Sequence, residues 1–405
     1  MRGKALKLAS GVLVAALAVA LATAVGGCGS QAASSGGSTS GSTSGGKEPI
    51  KIGAIVSLTG TYAGIGAPQK KTIEMEVKAI NDAGGINGRP VEVLIEDDGT
   101  DEAKAVVAVT KLVEQDKVVA ILGTSGTGTT MAIRGEIDRA GIPEVSMAGG
   151  NAVTGKFDPL VFQTAWSNAL VAPYELDYMK KHGITKIGLI SDSGGYGKDG
   201  KSLIDSLTAS YGITVTSDQT FNVGDADMTT QLTNIKSSGA QAVLMWTAGK
   251  EATTIVKNAK TLGMTIPIYG SHGNARQEFA TGIGADGDGF LFAAGHVLMP
   301  ETYGAGTEEF KVATDFITRY KADGGAAPST FAGHAYDAFH IVVNAAKATT
   351  GDITPSALRD AIEKTSGFAG IGGVFTFSPT DHNGLSDKDL TFYQIKGGAF
   401  TLAPK

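Results

Sequence analysis

Thr59-Gly60-Thr61-Tyr62-Ala63-Gly64-Ile65-Gly66 joins an apolar run over residues 50–58 to Ile73, Val77 and Ile80, which recur at helical spacing. A continuous apolar run, a glycine-rich turn and a 3.6-residue period read as a buried strand leading into a helix. The unit then repeats. A turn-rich break over 81–88 leads to a strand over 91–95, and Val106, Val109 and Val113 share one face of the next helix, which opens on Asp101 and Glu102. A strand over 118–122, a helix over 129–140 and a strand over 143–147 complete a first series. After a linking stretch near 163–172 the alternation restarts with a strand over 186–191 and a helix over 201–210. Strands over 213–220, 242–246, 266–269 and 290–293 follow, with helices over 228–237 and 251–262. The remainder is mostly helical, over 308–321, 331–348 and 355–364, with strand-like runs at 373–377 and 390–395. Two βα series of similar length predict an α/β fold of two Rossmann-like lobes, each built on a parallel-rich sheet covered by helices.

Length agrees with two cores. The chain has 405 residues, 42% hydrophobic and 18% charged, and single cores stop growing at about 250–300 residues. The net charge is −6 and the only charges in residues 1–27 are Arg2, Lys4 and Lys7, so removal of that segment leaves −6 − 3 = −9. An acidic surface without a basic run speaks against nucleic acid as a partner.

The N-terminus reads as an address. Three basic residues precede an uncharged apolar run over 11–25, shorter than the roughly 20 residues of a spanning helix. The run ends Val25-Gly26-Gly27-Cys28, which resembles a bacterial lipobox, and Cys28 is the only cysteine. Residues 1–27 are therefore expected to be a signal peptide and Cys28 a lipidation site that anchors the chain to the outer face of the cytoplasmic membrane. Of the 18 residues from Gly29 to Gly46, 15 are Gly, Ser or Thr. Such a segment buries nothing and acts as a tether over 28–46.

In open parallel sheets, ligands bind beyond the carboxyl ends of the strands. Those ends here are small and polar: residues 59–66, then Gly123-Thr124-Ser125-Gly126-Thr127-Gly128-Thr129-Thr130, then Ala148-Gly149-Gly150-Asn151. The second series matches them with 191–196, 247–249 and 270–273. One glycine cluster alone reads as a tight turn. Six of them in two facing series predict a cleft, with helix N-termini suited to a carboxylate.

Further marks point to a family. Lys51-Ile52-Gly53-Ala54, Leu58-Thr59-Gly60, the run from Asn81 to Arg89 (NDAGGINGR) and Glu96-Asp97-Asp98 resemble the leucine/isoleucine/valine-binding protein family. So do Gly141-Ile142-Pro143, Asp192 with Tyr196-Gly197, and Ala335-Tyr336-Asp337-Ala338, in order over 50–400. The resemblance implies a type I periplasmic-binding fold with three crossovers between lobes, and delivery of a small molecule to an ABC permease and its ATPase. The lobes expected are 47–168 with 298–390, and 169–297 with 391–405. By similarity, Thr127 meets the ligand carboxylate with its hydroxyl and N–H. The Ala148 carbonyl and the Gly150 N–H hold the polar head beside Gly149, and Tyr196 covers it. Ile65, Ala248 and His272 join the candidate set, with Trp246 as either a stacking partner or a core residue. No cofactor or metal is implied, and a monomer is expected.

Two departures stand out. The family's amino-acid binders place a glutamate for the substrate ammonium where this chain has His272, and Gly150 stands where threonine is common. A buried ammonium without a carboxylate partner is costly. Either another acid supplies the charge or the ligand lacks an ammonium; a branched-chain amino acid and a non-amino-acid carboxylate or amide are the alternatives.

Enzymatic readings fit less well. Residues 59–66 match the TGxxxGxG loop of short-chain dehydrogenases, yet none of the ten tyrosines is followed four residues later by lysine. The six histidines form no HExxH, and there is no GxSxG elbow. A ligand sensor for a membrane signalling partner would share the fold.

Overall fold

The computed structural model describes residues 47–405; the leader, Cys28 and the Gly/Ser/Thr tether lie outside the described residues. The first half runs β1 (Ile50–Val56), α1 (Ala63–Asp82), β2 (Val91–Asp97), α2 (Glu102–Glu114), β3 (Ile121–Gly123), α3 (Thr127–Ala140), β4 (Glu144–Ser146) and β5 (Val161–Gln163). The second series is α4 (Asn168–Lys181), β6 (Lys186–Asp192), α5 (Gly195–Leu207), β7 (Thr214–Phe221), α6 (Thr229–Ser237), β8 (Ala242–Trp246), α7 (Glu251–Thr261), β9 (Ile268–Gly270), α8 (Gln277–Ile283) and β10 (Leu291–Gly295). The chain ends with α9 (Glu308–Ala322), α10 (Thr330–Ala348), α11 (Pro355–Ile362), β11 (Phe368–Ala369), β12 (Val374–Phe375), β13 (Leu390–Lys396) and β14 (Ala399–Leu402). Among these, no helix is long and apolar enough to cross a membrane.

Two principal sheets result. The first is parallel throughout, in the order β2-β1-β3-β4-β5. The second has the order β14-β13-β10-β9-β8-β6-β7, with β13 and β14 antiparallel and the rest parallel. Strand periodicity explains the layers. In β1, Ile50, Ile52, Ala54 and Val56 face α1 and α10, while Ile55 joins the core formed with α2 and α3. In β8, Ala242, Leu244 and Trp246 face α4 and α5, while Val243 and Met245 face α6, α7 and α8. Strands apolar on both faces require helices on both sides, as parallel sheets do.

The chain crosses between sheets three times: after β5, after β10, and before β13. Trp166 in the first crossing donates its indole N–H to the Gly372 carbonyl (3.1 Å), and Gly295, at the second, leaves no room for a Cβ against the same indole. Tyr393 in β13 donates to the Gly295 carbonyl (2.9 Å). The three crossing segments are thereby tied to one another.

Several elements differ from the sequence expectation. α5 begins at Gly195 rather than near 201. Its start, Gly-Tyr-Gly-Lys-Asp-Gly, has the composition of a loop, but tertiary contact demands glycine there: a Cβ at Gly197 would meet the Asp192 side chain at 2.6 Å, and one at Gly200 would collide with the Trp246 indole. The stretch read as a link holds the end of β5 and the start of α4, a helix that contains Pro173. α8 and β14 were not foreseen because both are short.

Candidate ligand-binding site

The carboxyl ends of both sheets face each other around a tight cavity of ≈ 20 Å³, about the room one water needs. Thr127, Gly149, Ile65, Tyr196, Ala248 and His272 all line it, as the sequence reading placed them. Ala148, Gly150 and Trp246 do not. The Ala148 carbonyl is already taken by Gln163 Nε2 (2.9 Å). Trp246 is fully buried behind Tyr196, with ring centroids 6.3 Å apart, and its indole N–H donates to Asn168 Oδ1 (3.2 Å). It is a core residue that backs the wall.

The dehydrogenase-like loop also finds its explanation. Residues 63–66 are the first turn of α1, and a Cβ at Gly66 would run into the Ser57 carbonyl. Its glycine serves close helix–strand packing.

The stretch 123–130 is held by buried hydroxyls. Thr124 Oγ1 lies 2.5 Å from Thr129 Oγ1 and 3.0 Å from Thr130 Oγ1, which in turn lies 2.9 Å from Ser146 Oγ. Ser125 donates to Gln69 Oε1 (2.5 Å) and accepts from the Ser57 N–H (3.0 Å). Within this stretch Thr127 Oγ1, at 2% exposure, is the buried hydroxyl left without a partner. It stands in the first turn of α3, whose N-cap Gly126 offers no capping side chain. Free first-turn N–H groups and the helix dipole suit a negative group there.

His272 approaches from the second sheet. Its Nδ1 lies 3.2 Å from the Tyr196 hydroxyl, and its Nε2 is buried without a hydrogen-bond partner. A Cβ at Gly149 would collide with Nε2, and one at Gly150 would fall 2.6 Å from Thr127 Oγ1. The absence of a threonine at 150 thus has a steric cause: the two glycines form a saddle over which groups from both sheets converge.

Sequence reasoning missed His334 and Phe331 of α10, Tyr62, Met147 and Ala165, which complete the wall. His334 Nδ1 is a third buried atom without a partner. Its signal was available: with Thr330 and Asp337 it is one of the polar residues on the buried face of this helix. Arg276, also missed, ties two rim loops by donating to the carbonyls of Gly273 (2.6 Å) and Gly249 (2.9 Å). No Asp, Glu, Lys or Arg lines the cavity, and no cluster among the described residues could hold a metal.

Contacts across the cleft hold the rims together. Thr61 donates to Glu251 (2.7 and 2.8 Å to the two carboxylate oxygens). Asp199 of α5 accepts from the N–H groups of Asn151 (2.7 Å) and Ala152 (2.9 Å), and from the Asn168 side chain (2.7 Å). The Asn168 N–H in turn donates to the Gly149 carbonyl (2.8 Å).

The profile of the periplasmic binding protein family matches residues 49–399. The chain belongs to this family. It is 30% identical over 248 residues to a Leu/Ile/Val-binding protein homologue of Brucella melitensis, spanning 60% of this chain and 66% of that one. An extracellular ligand-binding receptor from Rhodopseudomonas palustris superposes with a TM-score of 0.83 at 30% identity, covering 88% of this chain and 99% of the other. The branched-chain amino acid transporter substrate binding protein LivJ of Streptococcus pneumoniae, in complex with isoleucine, superposes with a TM-score of 0.76 at 29% identity, covering 88% and 99%. The resemblance to the Leu/Ile/Val-binding proteins and the type I fold hold. Members of this family are exported solute-binding receptors, and the fold is that of a receptor for a substrate.

Burial holds both site histidines neutral, with each imidazole pushed down to about 3. In the unfolded chain they protonate near pH 6.5, so the unfolded state takes up protons first as pH falls. Stability is therefore lost below about pH 6.5, by about 1.4 kcal/mol per pH unit for each ring. In denaturant titrations between pH 6 and 4, His272→Gln with His334→Gln should flatten the slope relative to wild type. An identical slope in the two proteins would contradict neutral burial.

Proposed function

We propose that this chain is an extracytoplasmic receptor that clamps a small carboxylate-bearing solute between its two sheets and hands it to an ABC permease. One observation carries the reading: the cavity at the facing sheet ends holds buried polar atoms, above all Thr127 Oγ1, that no group of the described chain satisfies. Buried polar groups are nearly always paired, and an unpaired set converging on a cavity is a site awaiting its partner. The lobes that close on the solute are 47–168 with 298–390, and 169–297 with 391–405. Thr127 and the first turn of α3 hold the carboxylate, and Tyr196 and His272 reach it only when the lobes meet. A solute that makes contacts in the closed form alone drives closure. The closed face is then what a permease recognises, with the receptor acting as a monomer.

A branched-chain amino acid is the solute that the relatives favour, since the similar LivJ protein was solved with isoleucine. The cavity wall favours a carboxylate of another kind, argued below.

Thr127→Ala should weaken solute binding by about 1–3 kcal/mol, the cost of an unmatched buried partner. Isothermal calorimetry reads this directly, and unchanged affinity would remove Thr127 from the site. We further propose that lipid on Cys28 anchors the receptor to the membrane. Cys28→Ser should move the protein from the membrane fraction to the soluble fraction; retention on the membrane would dismiss the anchor.

A further inference from the structure

The residue that departs from the family pattern, His272, is the one whose chemistry the structure defines most closely. The Tyr196 hydroxyl lies 3.2 Å from His272 Nδ1 and can donate to it. A neutral imidazole that accepts at Nδ1 carries its proton on Nε2. That N–H is a donor, buried, unpartnered, and poised over Gly149 beside Thr127 Oγ1 and Gly150. The two sheets therefore present hydrogen-bond donors to the same small volume: a hydroxyl and the N–H groups of a helix start from one, an imidazole N–H from the other. Donors attract an anionic oxygen and repel an ammonium.

No acid is at hand to offset that repulsion. The nearest carboxylates stand outside the cavity wall. Glu251 accepts from Thr61 and from the Gly224 N–H (2.8 Å). Asp192 accepts from the Gly194 N–H (2.8 Å) at one oxygen while the other is buried without a partner, and it lies under the first turn of α5, where Gly197 packs on it, rather than in the cavity wall. His334 Nδ1 is the third unpartnered atom of the cavity wall. A neutral imidazole does not replace a carboxylate for a buried ammonium, which costs several kcal/mol when unpaired.

We infer that the solute is a small monocarboxylic acid without an ammonium group, its carboxylate shared between Thr127 and α3 on one side and His272 Nε2–H on the other. Tyr62, Ile65, Met147, Ala165, Ala248 and Phe331 enclose its apolar body. This inference rests on the receptor reading above and narrows it.

Matched pairs test it on the full chain purified in detergent: leucine against 4-methylpentanoate, and phenylalanine against 3-phenylpropanoate, by thermal shift and calorimetry. At least one desamino acid should raise the melting temperature by several degrees at a hundredfold excess over its Kd, and bind at least about tenfold tighter than its amino-acid partner. Equal or tighter binding of the amino acid overturns the inference and leaves the receptor reading standing. No shift from any of the four overturns both. His272→Glu exchanges the donor for an acceptor and should reverse the preference within a pair, whereas His272→Gln, which keeps a donor, should preserve it. A preference unmoved by His272→Glu would take the choice of solute away from His272.

Discussion

Everything in this molecule depends on two glycines. Gly149 and Gly150 lie at the end of one sheet, where any side chain would strike His272 from the other lobe or Thr127 from the same one. Because nothing occupies that saddle, a hydroxyl and an imidazole nitrogen from different sheets can converge on it. Neither atom finds a partner within the described chain. The sheets are covered on both faces by close-packed cores, so the cost of those orphaned atoms is not relieved by local repacking. In the receptor proposed here a solute relieves it, and coupling between binding and closure follows from that.

The rest of the cleft positions this convergence. Asn168 touches the Gly149 carbonyl, the Trp246 indole and the Asp199 carboxylate at once. It therefore links the first sheet's rim, the core of the second lobe, and α5. Asp199 completes the connection by capping the backbone of Asn151 and Ala152, and Thr61 and Glu251 close the opposite rim. In the proposed open form these polar contacts are exposed to water, so each contributes modestly. Modest closing energy is what a receptor needs: a cleft that shut firmly on nothing would leave the solute little to drive.

Much of this was legible in the sequence, for physical reasons. Alternation of apolar runs and helical periods revealed both sheets, and the small residues at strand ends revealed the cleft and placed Thr127, Tyr196 and His272 on it. Three kinds of feature were not legible. The helical start of α5 was hidden because its glycines are selected by contact with Asp192 and Trp246, and such contacts override local propensity. His334 and Phe331 sit on α10, whose apolar pattern reads as core, and only the third crossing of the chain brings them to the cavity. The roles of Ala148 and Trp246 depended on long-range partners, Gln163 and Asn168, that no local pattern identifies.

Convergence of two lobes on one anionic group is best tested by a crystal structure of the full chain with 4-methylpentanoate. The expected result places the carboxylate oxygens within about 2.6–3.2 Å of both Thr127 Oγ1 and His272 Nε2, with the methyl groups against Phe331 and Met147. Density showing both atoms satisfied by water or by the chain itself, with the acid elsewhere or absent, would contradict it.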